Sequence, residues 1–110
     1  MEIERLSDEE VKIIGDCLVA AVEGPFFPAW EFHTLFGLER ADVARVSRSW
    51  PNISVEDRTV DLAVNNALGN LTGYPHGEDL SRFVTATPER VSEILEKWKR
   101  VQQRNRTGVK

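Results

Sequence analysis

Residues 24–37 read GPFFPAWEFHTLFG, and whether they form a surface loop or a buried helix decides the fold. Five of the chain's nine aromatic residues fall within the eleven positions from Phe26 to Phe36. Pro28 suits the first position of a helix, because its missing N–H is one that a helix start leaves unpaired, and Gly37 suits the end. Between them Trp30, Phe32, His33, Leu35 and Phe36 make a short helix that is apolar nearly all round, and such a helix is expected inside a core. Phe32 and Phe36 are therefore expected to be buried. Only the edge carrying Trp30, Glu31 and His33 is left for function.

Working outward, the same helical punctuation recurs. Before the stretch, Ser7-Asp8-Glu9-Glu10 is a capping box with Leu6 placed to staple onto Val11. The helix it opens carries Val11, Ile14, Cys17, Leu18, Ala21 and Val22 at three- and four-residue spacings and stops at Gly24-Pro25. After the stretch, a third helix is predicted from about Arg40 to Ser49, with Val43, Val46 and Trp50 on one stripe and Arg45 and Arg48 on the wet side. It ends because Pro51 forces its predecessor out of helical geometry. Ser54 and Asp57 can cap a fourth helix whose Val60, Val64, Ala67, Leu68 and Leu71 form a narrow seam closed by Gly73. Tyr74 to Ala86 reads as a loop with a single helical turn at Asp79 to Phe83. Thr87-Pro88 opens the last helix, with Val91, Ile94, Leu95, Trp98 and Val101 facing inward and Glu93–Lys97 and Glu96–Arg100 pairing outside.

No run alternates with the period of a strand, so the expected fold is all-α: a compact single-domain array of four to five helices around the short aromatic second helix. Residues 1–103 are expected to form that domain and residues 104–110 a flexible basic tail. A length of 110 residues, 41% hydrophobic and 29% charged, suits one globular core. No segment is apolar for the ~20 residues that span a bilayer, and Glu2, Glu4, Asp8, Glu9 and Glu10 stand where a signal peptide would be basic. One cysteine, Cys17, cannot form an internal disulfide, so a cytoplasmic location is expected. The sequons at Asn52 and Asn70 would then meet no glycosylation machinery.

The net charge of −4 is unevenly spread. Residues 97–110 hold six basic residues and no acid, which leaves eight basic against eighteen acidic before them, or +6 on the tail and −10 on the body. An acidic body repels a phosphate backbone, so general nucleic-acid binding is not expected. Basic residues at the end of a helix also complement its dipole, which is the simpler reading of the tail.

Catalytic spacing is missing. Cys17 lies on the inner face of its helix, where a thiol is buried and protonated. His33 beside Glu31, and His76 beside Glu78 and Asp79, could meet in a mixed metal site, but Glu31 and His33 fall on different sides of a helix and no HExxH or paired-cysteine motif is present. A local hydrogen-bonding role is the better reading of each histidine, and neither a metal nor a cofactor is expected. Gly69 and Gly73 lack the strand that a phosphate loop needs. Asn65, Asn66 and Asn70 are less easily placed, since asparagine lowers helix propensity. Either these amides satisfy backbone groups of a neighbouring loop, or they form a recognition strip beside Tyr74 and His76.

GPFFPAWEFHTLFGL, the third helix ending in Trp50-Pro51, and AVNNALGNLTGYPHG together resemble a group of small bacterial proteins that share a GPFFPxWEFHTLFG-like motif. The resemblance spans the chain from the first helix to Trp98 and implies no activity, cofactor or catalytic residue.

Three functions fit these observations. The first is non-catalytic binding of a protein partner, a basic one, in the manner of an immunity protein or small regulator. The candidate surface is the rim of Trp30, Glu31, His33, Asn66, Asn70, Tyr74 and His76. The second is a small-molecule or metal site between the second helix and the 74–79 loop, with His33, Glu31, Asn70 and His76 as its polar groups. The third is homodimerisation through an exposed apolar patch.

Overall fold

Helix α1, Asp8–Glu23, begins at Ser7 with the expected reciprocal cap. The Ser7 hydroxyl accepts from the Glu10 amide at 3.1 Å, and the Glu10 carboxylate accepts from the Ser7 amide at 2.9 Å. Leu6 is buried and Val11 packs against the core, as the staple requires. Ile13, Ile14, Cys17, Leu18, Ala20 and Ala21 are all buried. That face is wider than the sequence stripe because three helices lean on it. The computed structural model describes residues 6–24, 27, 29–54, 56–73, 83–84 and 86–107.

Helix α2, Ala29–Phe36, is inserted as expected, but on one side only. Phe32 and Phe36 are buried and stack with centroids 4.2 Å apart, and Phe27 meets both rings edge-on. His33 and Thr34 are exposed, and Glu31 and Leu35 are half-buried. Gly37 ends the helix with φ of 67°, a left-handed conformation that strains any side chain. Helix α3, Arg40–Ser49, buries Val43 and Val46 and exposes Arg45 and Arg48.

Helix α4, Arg58–Gly73, follows Asp57, whose carboxylate accepts from the Thr59 amide at 2.8 Å. Its buried residues are Val60, Ala63, Val64, Ala67, Leu68 and Leu71, and every position from Thr59 to Thr72 is buried or half-buried. The reason is its place: α4 contacts α1, α2, α3 and the last helix alike. Helix α5, Pro88–Thr107, opens on Thr87, whose hydroxyl accepts from the Arg90 amide at 3.1 Å. Val91, Ile94, Trp98 and Val101 are buried along it. It continues to Thr107, into the residues from 104 on that the sequence assigns to the tail.

No strand occurs among the described residues, and the fold is an all-α single domain. The Cα radius of gyration is 13.1 Å, the value of about 13 Å expected for a compact chain of this length. The single turn expected at Asp79 to Phe83 falls outside the described residues except at its end, and Val84 beyond it is buried. Both expected surface pairings differ from expectation. Lys97 reaches across to Glu10 of α1 at 2.8 Å, while Glu93 lies 3.4 Å from Arg90 and Glu96 3.5 Å from Lys99. An exposed i,i+4 partner offers little, whereas Glu10 is a buried carboxylate that needs a cation.

Candidate functional site

The asparagines of α4 face the end of α2. The last carbonyls of a helix have no partner within it. Here Asn66 Nδ2 donates to the Phe36 carbonyl at 2.8 Å and Asn70 Nδ2 to the Leu35 carbonyl at 3.0 Å. Asn65 donates to the Asn66 side-chain oxygen at 3.3 Å, which aims the Asn66 amide at its target. The His33 carbonyl is taken by the Gly37 amide. Among the described residues the backbone groups that Asn66 and Asn70 satisfy belong to the end of α2.

His33 stands on the exposed side of the same helix. Its Nδ1 lies 2.7 Å from Glu39 Oε1, with the two side chains 66% and 70% exposed. Glu39 is in turn the N-cap of α3, and its amide donates to Asp42 at 3.1 Å. The histidine therefore links two helix ends through Glu39, and not through the neighbouring Glu31. Trp30 is placed on α2 by its backbone; Tyr74 and His76 lie outside the described residues. Among the described residues no group of three His, Cys, Asp or Glu side chains could hold a metal ion.

Apart from Arg90, which Glu9 holds more firmly protonated, two titratable groups among the described residues are displaced from their ordinary pKa, and both are engaged in structure. Burial pushes the Glu10 carboxyl up, but the Lys97 ammonium, the Ser7 amide and the Arg90 charge more than offset it and hold the group below its usual range. Lys97 Nζ touches both carboxylate oxygens, at 2.8 and 2.9 Å. Burial, with a smaller effect from the Asp16 charge, pushes the Cys17 thiol up to about 12. Neither group is poised to exchange a proton near neutrality.

A residue that the sequence reading passed over is Arg40. Its guanidinium donates to the Val22 carbonyl at 2.7 Å and the Phe27 carbonyl at 2.6 Å, and covers the Phe32 ring at 4.5 Å. Helix α1 has no basic residue in its last turn, so this cation completes its negative end from outside. A signal was present: a cation at the first position of α3 opposes that helix's own dipole, so it had to serve elsewhere. A second feature, also unread, is a groove of about 270 Å³ between the C-terminal half of α3 and the start of α4, with Arg45 and Asp57 in its walls. Comparison with family models, curated proteins and solved structures finds no match for the chain.

Proposed function

We propose that the chain is a non-catalytic cytoplasmic protein that works by binding a basic protein partner through its acidic body, as a small immunity protein or regulator does. The observation that carries this reading is the separation of charge, −10 over residues 1–96 against +6 over residues 97–110. A surface of one sign steers an opposite partner and raises the rate of encounter. Glu10 and Cys17 are moreover displaced away from the range that catalysis uses, which leaves both to the fold.

Val19, at 38% exposure, is the single large hydrophobic exposed among the described residues. That favours charge over an apolar patch as the means of recognition. No helix among those residues is long and apolar enough to cross a membrane.

The test is capture of partners by the purified chain, from lysate and by co-expression with proteins encoded beside it, at low and high salt. A stoichiometric basic partner that is retained at low salt and lost at high salt is the expected result. Absence of any stoichiometric partner, or retention indifferent to salt, overturns the proposal.

A further inference from the structure

Helix α5 shows solvent a face of its own. Glu89, Glu93, Glu96, Arg100 and Gln103 recur at three- and four-residue spacings, so they form one stripe about 21 Å long, and all are exposed. Lys99, also exposed, flanks the stripe beside Arg100. The opposite side of the helix is occupied, with Val91, Ile94, Trp98 and Val101 buried in the core.

Tertiary packing sorts this stripe by sign. Two cations of the same helix are drawn to α1. Lys97 Nζ lies 2.8 Å from Glu10, and one nitrogen of Arg90 lies 3.3 Å from Glu9 and from Glu10, with the other 3.4 Å from Glu93. Neither belongs to the stripe, which therefore begins with acids and ends on cations. Glu96 has one ion pair, an exposed one with Lys99 at 3.5 Å, and among the described residues Glu89 and Arg100 enter none. The helix runs on through Arg104 and Arg106, and no acid follows Glu96 in the chain.

A stripe that is acidic in its first half and basic in its second is complementary to itself once one copy is turned end for end. With two such helices antiparallel and the two-fold axis passing beside residue 98, Glu96 of each copy meets Arg100 of the other, and Glu93 meets the turn holding Gln103 and Arg104. A parallel partner puts like charges opposite. At physiological salt the rest of the acidic body is screened beyond about 8 Å, so the stripe itself sets the orientation. We propose that this face binds a second copy of the chain, α5 against α5, antiparallel about a two-fold axis. Such an interface presents the same patch from both sides and closes at two copies. The stripe has no apolar residue, so the pair is weak and salt-sensitive and not an obligate dimer. It does not rest on the proposed basic partner.

The test is sedimentation velocity of the full chain up to about 1 mM, a concentration that reads a dissociation constant in the millimolar range or tighter. Expected is a mass that rises toward two copies at about 50 mM salt and stays at one copy at about 500 mM, where the Debye length has fallen to about 4 Å. Glu96→Arg and Arg100→Glu change exposed positions, and circular dichroism checks that each variant is folded. Either one alone sets like charges opposite and should abolish the association. An equimolar mixture of the two should pair again, because each supplies the sign that the other has lost. The proposal is overturned by a chain that stays single at low salt, by growth beyond two copies, by a folded variant that associates like the parent, or by a mixture that stays single.

Discussion

Asn70 carries its side-chain amide to a carbonyl thirty-five positions earlier in the chain. Removing it as Asn70→Ala strands the Leu35 carbonyl, and about 1–2 kcal/mol of stability should be lost in urea unfolding, with a like effect for Asn66→Ala. Phe36, which has no exposed surface, is a heavier contributor. Phe36→Ala should cost ~3–5 kcal/mol, and a loss well under ~1 kcal/mol would mean that α2 is not part of the core. Gly15 poses a contest of two effects. Alanine there gains about 1 kcal/mol of helix propensity. Its Cβ, however, would stand 3.0 Å from Trp50 Cδ1, and that indole is held by its bond to the Val11 carbonyl at 2.8 Å and by Trp98 behind it. Overpacking of this kind costs typically 1–3 kcal/mol, so Gly15→Ala should be net destabilising, with a shifted tryptophan emission. At this scale the sequence marks the unusual residue, an asparagine inside a helix or an arginine at a helix start, but not its partner. The partners lie thirteen to thirty-five positions away, where no local spacing reaches.

Helix α1 is joined to α5 by one side chain that does two tasks. Glu10 caps its own helix and also accepts from Lys97, with Arg90 3.3 Å away. The capping box was legible because both of its members are local. Its second task was not, because Lys97 read as the partner of Glu93. Lys97→Met keeps the aliphatic stem and should cost about 1–2 kcal/mol, less than for a fully buried pair because 37% of the Lys97 side chain is exposed. The pH dependence has a definite sign. The folded pKa of Glu10 lies below its ordinary 4.5, so its contribution is complete above that value and is lost as pH falls through the lower folded one. Glu10→Gln should therefore be less stable than the parent at neutral pH, with the gap closing below about pH 4.5 in urea melts taken across that range. A gap independent of pH would mean that shape, and not charge, is what Glu10 supplies.

For the whole molecule the controlling quantities are charge and the choice of central helix. A chain truncated after Gln103 loses Arg104, Arg106 and Lys110 and no acid, so its net charge goes from −4 to −7. Binding of a basic partner should then strengthen at low salt, and the difference should shrink as salt is raised, as calorimetry would read. All five helices, the caps of α1, α4 and α5 and most of the buried apolar residues were legible in the sequence, because propensity, capping and hydrophobic period act within a few residues of one another; the Glu39 cap of α3 and the burial of Ile13, Ala20, Phe27, Ala63 and Val84 were not. What only the tertiary structure decided is which helix lies at the centre and where the polar side chains go. Helix α4 touches the other four although its apolar residues read as a narrow seam. Its asparagines close the end of α2, Arg40 closes the end of α1, and residues of α3 and of the start of α4 line one groove by Arg45. These are relations between distant segments, fixed by the need to pair every buried polar group once the helices have packed.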